Sequence, residues 1–297
     1  MKAAVLDIGG SSIKYGRLDE RLIVEQRGKI PAPLTDMNAF FSALDRIWEE
    51  VGTDAEGLAV SMPGVIDSSR GYAYTGGALQ YIRGREVARE LTDRYQVPVW
   101  IGNDAKCAGS AEAVYGALQG VRTGIVVILG TGIGGCLILD GKVYTGIHFS
   151  AGEFSFLHTN RYAPYDQSEW WARVTGSSGL LAMVQNHTKS TDVLSGEEIF
   201  ARAEQGDMAV LQAVDQFAET VAVQLLNLQC ILDAEKIAIG GGISAQPLLI
   251  QKLKEQSDRI YKDYPYPFFQ PEITVCRFRN DANLIGAYSQ LLERENG

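Results

Sequence analysis

Three glycine-rich turns, each placed directly after an apolar run, are the first feature of this sequence with the means to do chemistry. They are DIGGSS (7–12), GTGIGG (130–135) and GGGIS (240–244). Glycine lets an anion approach the backbone, and successive N–H groups then form a nest that binds phosphate. A single turn of this kind is equally well explained as a hairpin turn in which glycine supplies a positive φ. The threefold occurrence favours phosphate binding.

Hydroxyl and charged side chains accompany these turns. Ser11, Ser12 and Thr131 add hydroxyl donors, and Lys14 is either a positive charge for the nest or a solvated strand residue. Asp7 ends its strand beside the first nest, where a carboxylate can hold Mg²⁺ through water or can close the turn on its own backbone. The Walker pattern GxxxxGK[ST] is absent, and GTGIGG continues into a strand, which argues against a Rossmann site.

Two further carboxylates follow strand-like runs. Asn103 and Asp104 precede a helix of small residues, and both residue types are common N-caps. As a general base, Asp104 would accept the proton of a sugar hydroxyl while that oxygen attacks a γ-phosphate. Glu153, in SAGEFSFLHTN, is either a surface-turn residue or an acceptor for sugar hydroxyls.

The elements that must position these residues belong to the α/β class. Strand-like runs occur at 3–8, 13–18, 22–30, 57–61 and 98–101, and helix-like stretches at 36–51, 84–95 and 104–116. The pattern then restarts at GIVVILGTGIGGCLILDGKVYTG (124–146), which has the shape of the opening stretch. Later helices are predicted over about 168–186, 196–204, 207–232 and 281–293, with a buried strand at the start of 236–244. We therefore expect two lobes, each beginning with a glycine-rich hairpin.

Composition excludes several classes of protein. The 297 residues carry a formal net charge of −9, which argues against a nucleic-acid partner. No apolar run approaches the ~20 residues of a membrane span, and the N-terminus does not resemble a signal peptide, so we expect a cytoplasmic protein with no membrane partner. The cysteines lie far apart and form no CxxC pair, which favours free thiols over a zinc site; they are Cys107, Cys136, Cys230 and Cys276.

The order of the motifs resembles that of ROK-family sugar kinases over essentially the whole chain. The motifs are LDIGGSSIK, SMPGVID, IGNDAKCAG, ILGTGIGG, AGEF and IAIGGGIS. This resemblance implies the two-lobed actin-like/ribonuclease H-like ATPase fold with an interdomain cleft, formed by an N-terminal lobe (1–117 plus 282–297) and a C-terminal lobe (118–281). It also implies ATP and Mg²⁺, a small sugar substrate and a homodimer. The aromatic segment 261–269 is a candidate dimer surface.

The resemblance further implies a role for each motif. Residues 7–12 would form the first phosphate loop, with Asp7 near the metal, and 130–135 the second, while 240–242 would lie beside the adenosine. Asp104 would be the catalytic base. The residues expected to bind sugar are Asn103, Asp104, Glu153 and Gly77. Those expected to bind the nucleotide are Asp7, Gly9, Gly10, Ser11, Ser12, Lys14, Gly130, Thr131, Gly132, Gly134, Gly240, Gly241 and Gly242.

Two departures from the family pattern bear on the subtype. The third residue after Glu153 is Phe156 instead of the usual histidine, with His158 displaced by two positions, and the following segment lacks the cysteines of the family's zinc motif. Zinc is therefore not expected. YTGGALQYIRG (74–84), the aromatic Phe156 and RNDANLIGA (279–287) resemble the family's β-glucoside kinases, which phosphorylate the 6-hydroxyl of the non-reducing glucose of cellobiose-like sugars.

A second sugar ring would need room and a stacking surface. The small residues Gly76, Gly77 and Ala78 would provide the room. Aromatic residues would provide the surface, unless they are core or interface residues, which is equally consistent with the sequence; they are Tyr81, Phe156, Tyr162 and Trp170.

Other functions remain as alternatives. Within the same family they are a glucokinase and a kinase of N-acetylmannosamine or fructose. A sugar-responsive transcriptional regulator is disfavoured, because the chain enters its first strand at residue 3 and is acidic. A non-catalytic ATP-binding protein is disfavoured by Asp104.

Overall fold

The computed structural model describes residues 1–160, 162–163, 165–263 and 269–296. Most of the aromatic segment 261–269 therefore lies outside the described residues. Backbone contacts divide the chain into two compact units. The first comprises Met1–Gly116, Val143–Ala151 and Asn280–Gly297, and the second Ala117–Lys142 and Gly152–Arg279.

The first unit is built on a five-stranded mixed sheet with the order β3-β2-β1-β4-β7. Neighbours β1–β2 and β2–β3 are antiparallel, whereas β1–β4 and β4–β7 are parallel. The elements are β1 (Ala3–Ile8), β2 (Ser12–Leu18), β3 (Glu25–Pro31), α1 (Met37–Val51), β4 (Gly57–Met62), β5 (Ile66–Asp67), β6 (Tyr72–Ala73), α2 (Val87–Tyr95), β7 (Val99–Asn103) and α3 (Asp104–Tyr115). Every residue of β1 and β4 is buried, as expected for strands covered on both faces.

The second sheet, ordered β10-β9-β8-β11-β12, repeats this arrangement. Its strand β8 pairs antiparallel with β9 and parallel with β11, as β1 does with β2 and β4. The remaining elements are β8 (Gly124–Leu129), β9 (Ile133–Leu139), β10 (Lys142–Tyr144), α4 (Trp171–Thr175), α5 (Ser177–Thr188), α6 (Gly196–Glu204), α7 (Met208–Leu232), β11 (Lys236–Gly240), α8 (Pro247–Asp263), β12 (Glu272–Val275) and α9 (Ala282–Asn296). The restart predicted from the sequence at 124–146 is thus present.

The single helix predicted over about 168–186 is wrong. The chain forms a short 3₁₀ turn at Gln167–Glu169 and then two helices, α4 and α5, separated at Gly176. Gly176 has an extended conformation (φ −70°, ψ 177°), and a Cβ there would stand 2.4 Å from the carbonyl oxygen of Thr131. The helix is interrupted because its backbone packs against the glycine loop that follows β8.

Helix α9 closes the chain by packing on α3 within the first unit. Gly286 lies so close to α3 that a Cβ would stand 1.7 Å from the carbonyl oxygen of Cys107, so only glycine permits this approach. Polar contacts add to the packing: the Tyr288 hydroxyl donates to the Met1 carbonyl (2.8 Å) and the Gln290 amide to Ser110 Oγ (3.0 Å). The position of α9 relative to β1 is therefore closely defined.

Candidate active site

Asp7 lies near the end of β1, 8% exposed, with side chains from three other elements around its carboxylate. In the sheet register Asp7 is opposite Lys14 on β2 and Ser61 on β4. The Ser61 hydroxyl donates to Asp7 Oδ1 at 3.1 Å, and the Asn283 amide on α9 donates to the same oxygen at 2.8 Å. Lys14 Nζ stands 3.7 Å from Asp7 Oδ2. Lys14 is therefore paired with Asp7, and it is not merely a solvated strand residue.

Ser61 and Asn283 were not among the residues predicted for the site. Ser61 begins SMPGVID, one of the motifs that carry the family resemblance. Asn283 lies 276 residues from Asp7. The pairing of β4 with β1 could have placed Ser61 in the site, since parallel neighbouring strands end at the same edge of a sheet.

The first glycine loop joins β1 to β2. The Gly9 amide donates to the Ser12 carbonyl (2.9 Å), and the Ala32 amide donates to the Ser11 carbonyl (3.0 Å). Neither Gly9 nor Gly10 has a positive φ. A Cβ at Gly10 would stand 3.3 Å from the Cβ of Ala78. The glycines here therefore serve close approach of groups to the backbone, and the hairpin explanation by positive φ is wrong for this turn.

The second glycine loop follows β8 and is held by helices α4 and α5. The Ser177 amide donates to the Gly130 carbonyl (3.0 Å), and a Cβ at Gly132 would meet the Cβ of Ala172 at 3.6 Å. Within this loop, Thr131 is exposed. Gly135 differs from the others, because a Cβ there would stand 2.3 Å from the Gly152 carbonyl oxygen. Gly135 is thus required because the backbone at Gly152 packs directly against it.

The third glycine turn follows β11, and its residues have different surroundings. A Cβ at Gly240 would stand 2.6 Å from the Ile128 side chain. Gly241 has φ +91°, and a Cβ there would stand 2.0 Å from the Leu129 carbonyl oxygen. Around Gly242, in contrast, no heavy atom of the described residues lies within 4 Å of the Cβ position, its chain neighbours aside. Of these glycines, Gly242 is the one that leaves open space for a ligand.

Asn103 and Asp104 stand where β7 passes into α3. Asn103 is the N-cap: its Oδ1 accepts from the Lys106 amide (3.1 Å) and its Nδ2 donates to the Gly64 carbonyl (3.0 Å). Asp104 is the first helical residue, half-buried, and its Oδ1 accepts from the Ala105 amide (2.8 Å). The helix N-terminus stabilises the negative charge of this carboxylate. The capping explanation therefore holds for Asn103, while Asp104 is the first residue of the helix.

Two loops of the first unit are packed together beside Asn103. Gly64 has φ +111°, and a Cβ there would stand 2.2 Å from the Thr75 carbonyl oxygen. Gly77 has φ +59°, with the Pro63 ring 2.8 Å from its Cβ position. Because Asn103 donates to Gly64, one continuous set of contacts runs from the α3 cap to Gly77.

Glu153 and Phe156 occupy a single 3₁₀ turn in the second unit. Glu153 is the half-buried N-cap of the turn Phe154–Phe156, and residues three apart eclipse one another in 3₁₀ geometry. Phe156 is 55% exposed and meets Trp170 edge to face, with ring centroids 5.0 Å apart. The Trp170 indole N–H donates to His158 Nε2 at 3.1 Å. The exposed Phe156, with the half-buried Trp170 against it, thus lies one 3₁₀ turn along the chain from Glu153.

Tyr81 does not belong to such a surface. Its ring lies edge-on to the buried Phe40, and its hydroxyl donates to the Pro33 carbonyl. Burial, with a smaller contribution from the charge of Asp36, raises the pKa of Tyr81 to about 12. Of the two alternatives left open for these aromatics, packing against the core therefore holds for the partly buried Tyr81, whereas Tyr162 is 79% exposed.

All four cysteines are free thiols, and Cys230 is the exposed one. In the part of the chain that the structure describes, no three His, Cys, Asp or Glu side chains are grouped as a metal site would require. No described helix combines the length and the apolar character needed to cross a bilayer.

Comparison with known proteins identifies close relatives over the full length. The sequence profile of the ROK family matches residues 3–294. A β-glucoside kinase of Listeria monocytogenes is 28% identical, covering 100% of this chain and 99% of its own, and one of Klebsiella pneumoniae is 30% identical, covering 97% and 95%. A solved structure of a ROK family protein from Streptococcus pneumoniae in complex with sucrose superposes with a TM-score of 0.88 at 30% identity, covering 100% of this chain and 99% of that one. Kinases named for N-acetylglucosamine, glucose and N-acetylmannosamine are further relatives at 25–28% identity.

Proposed function

This chain belongs to the ROK family and is a carbohydrate kinase with the two-lobed ATPase fold, and we propose that it transfers phosphate from ATP to the 6-hydroxyl of a β-glucoside such as cellobiose. The observation that carries the choice of substrate is the exposed Phe156, one 3₁₀ turn along the chain from Glu153, with the half-buried Trp170 packed edge to face against it. A glucokinase, or a kinase of N-acetylmannosamine or fructose, is the alternative within the family.

Asp104 would act as the general base. It would accept the proton from the sugar 6-hydroxyl as that oxygen attacks the γ-phosphate. ADP would be the leaving group. Its place at the first turn of α3 supports this role, because a helix N-terminus interacts favourably with the negative charge of a carboxylate. Asn103, Gly77 and Glu153 would contact the sugar, with Glu153 accepting hydrogen bonds from its hydroxyls.

The glycine loops would bind the nucleotide. In the first unit the backbone of 9–12 and the ammonium group of Lys14 would contact phosphate oxygens. In the second unit the loop 130–134, including the exposed Thr131, would do the same, and Gly242 would lie against the adenosine. The open space at Gly242 supports this role more strongly than the packed surroundings of Gly240 and Gly241 do.

Mg²⁺ fits the chemistry of the residue assigned to it. Asp7 offers a hard carboxylate oxygen, the donor type that Mg²⁺ prefers. Its Oδ1 already accepts from two neutral donors, whereas Oδ2 faces Lys14 Nζ at a distance longer than a hydrogen bond. Asp7 would hold the ion through water. Bound there, Mg²⁺ neutralises the charge that develops on the transferred phosphate.

The second ring of a β-glucoside would lie against the aromatic pair. Aromatic rings offer an apolar face, and Trp170 is held in place through its hydrogen bond to His158. The family resemblance also supports a cytoplasmic homodimer, and light scattering coupled to gel filtration measures the oligomeric state.

The test is a coupled assay of ADP release across glucose, cellobiose, gentiobiose, salicin, N-acetylmannosamine and fructose. We expect the largest kcat/KM with a β-glucoside. A glucose or N-acetylmannosamine value far above that of every β-glucoside would reject the substrate assignment and leave the kinase activity in place. Measuring each sugar without enzyme, and the enzyme without sugar, controls for contaminating ATPase.

A further inference from the structure

Two neutral side chains hold one oxygen of the Asp7 carboxylate. The Asn283 amide lies 2.8 Å and the Ser61 hydroxyl 3.1 Å from Oδ1. Neither donor carries a charge, and together the two hydrogen bonds restrict the rotation of the carboxylate. The other oxygen, Oδ2, is on the side of Lys14. The two oxygens therefore have different surroundings: Oδ1 accepts hydrogen bonds from Asn283 and Ser61, and Oδ2 faces the half-buried Lys14 of β2.

The position of Asn283 is itself closely restrained. Two residues earlier, Asp281 forms a bidentate ion pair with Arg27 of β3, with contacts of 2.6 and 2.8 Å. Three residues later, Gly286 makes the close approach to Cys107 that leaves no room for a Cβ. The chain is thus anchored both before and after Asn283, and these two contacts fix the position of Asn283 beside Asp7. A contact made by chance on a mobile terminus would lack such supports.

We propose that Asn283, together with Ser61, is a positioning residue for phosphoryl transfer, which holds Asp7 so that Oδ2 receives the water shell of the metal–nucleotide complex. The inference rests on the proposed function, because it takes Asp7 as the residue that faces Mg²⁺. Without the amide, the carboxylate loses one of the two hydrogen bonds that restrict rotation about its terminal torsion, which has a broad two-fold profile. Groups that orient a metal-facing carboxylate typically matter by 10- to 100-fold for metal affinity or activity.

The variants are Asn283→Ala, Asn283→Asp and Ser61→Ala in the full chain. Asn283→Asp keeps the shape of the side chain and replaces a donor by an acceptor with a like charge. The matched control is Asn227→Ala, which removes an exposed asparagine from the surface of α7. Thermal melting checks that each variant is folded, and Ser61→Ala serves as an independent variant of the same oxygen if an Asn283 variant fails to fold.

The primary readout is the binding of ADP measured by calorimetry over a series of Mg²⁺ concentrations, with kcat and the sugar KM measured in parallel. We expect the Mg²⁺ concentration at half-maximal ADP binding to rise about 10-fold in Asn283→Ala, more in Asn283→Asp, and to stay unchanged in Asn227→Ala. The sugar KM should change less than about twofold, because only the metal side is affected.

Two results would overturn the inference, and they are distinguishable. If the unsubstituted protein binds ADP equally well with and without Mg²⁺, the assignment of Asp7 to the metal is wrong and the inference falls with it. If ADP binding depends on Mg²⁺, and folded Asn283→Ala and Ser61→Ala show the same dependence as the unsubstituted protein, the positioning role alone is wrong and the proposed function stands. A uniform loss of stability with unchanged Mg²⁺ dependence would likewise assign Asn283 a purely structural role.

Discussion

Gly241 lies directly against the carbonyl group of Leu129, so that a Cβ on Gly241 would stand 2.0 Å from that oxygen. The residue also has φ +91°, a conformation that residues with a side chain rarely adopt. Its neighbour Gly242 has open space around the Cβ position. The two adjacent glycines of one turn therefore differ in the physical reason for which glycine is present.

Gly241→Ala should destabilise the protein strongly, whereas Gly242→Ala should not. The first substitution combines backbone strain with a clash against main-chain atoms, for which we expect a loss of about 2 kcal/mol or more in the free energy of unfolding. Denaturant unfolding of both variants measures the difference. A Gly241→Ala protein as stable as Gly242→Ala would contradict the observed packing. ADP affinity, measured on Gly242→Ala, reports separately on the proposed nucleotide contact.

Asp104→Asn should abolish most of the phosphoryl transfer and keep sugar binding. Asparagine retains the shape of the side chain and can accept the hydrogen bond of the Ala105 amide, but it cannot take the proton of the sugar hydroxyl. We expect kcat to fall by about 100-fold or more. Coupled ADP release gives kcat, and calorimetry with sugar gives the affinity.

The control for this substitution is Asp36→Asn in the same unit. Asp36 caps α1 by accepting from the Ala39 amide (2.9 Å), and asparagine is an equally good N-cap. Activity and stability should therefore be unchanged. Full activity in Asp104→Asn would reject Asp104 as the base.

Phe156→Ala should change sugar preference. Loss of one stacking ring is expected to raise the KM for cellobiose by roughly three- to tenfold and to change the KM for glucose less than twofold, because glucose has no second ring. Phe269→Ala is the matched control, since Phe269 is also exposed and belongs to the same unit. Equal KM changes for both sugars would place Phe156 elsewhere than at the second ring.

Tyr81→Phe should alter the dependence of stability on alkaline pH. The folded-state pKa of about 12 lies above the ordinary value of 10, because burial disfavours the charged phenolate. The contribution of the neutral phenol is therefore fully present below pH 10 and is lost as pH rises toward 12. The free energy of unfolding of the unsubstituted protein should fall more steeply over this interval than that of Tyr81→Phe.

At neutral pH the same variant should lose about 1 kcal/mol, because the hydrogen bond to the Pro33 carbonyl is removed. The matched control is Tyr165→Phe, whose side chain is 96% exposed. Unfolding monitored by far-UV circular dichroism at several pH values measures both effects. Parallel pH profiles for the unsubstituted protein and Tyr81→Phe would show that the Tyr81 phenol titrates like an exposed one.

Much of the fold was predictable from local pattern. The apolar runs of β1, β8 and β11 identified these strands within a few residues, because nearly all of their residues are buried. Helices α6 and α7 were identified by their helical periodicity. Helix α8 and strand β12 were not assigned. The break between α4 and α5 could not be predicted either, since it results from the contact of Gly176 with Thr131, 45 positions away.

The candidate site divides in the same way. Asp7, Asp104 and the glycine turns were identified from residue type and from their place after apolar runs. Ser61 and Asn283 were not, because their relation to Asp7 arises from strand register and from the return of α9 to the first unit. The sequence suggests the same stacking role for Phe156 and Tyr81. Only packing shows that the Phe156 ring is exposed and that the Tyr81 ring is partly buried against the core.

The sequence by itself determined where glycines and carboxylates follow strands, since these positions depend on residue types and on short-range pattern. Tertiary structure alone decided which of these glycines leave the backbone open, as at Gly242, and which exist because another backbone comes too close for a Cβ, as at Gly135 and Gly241. It also decided which oxygen of Asp7 accepts the hydrogen bonds of Ser61 and Asn283. The physical reason is that steric exclusion and hydrogen bonding act between atoms that are close in space, and residues far apart in sequence supply those atoms.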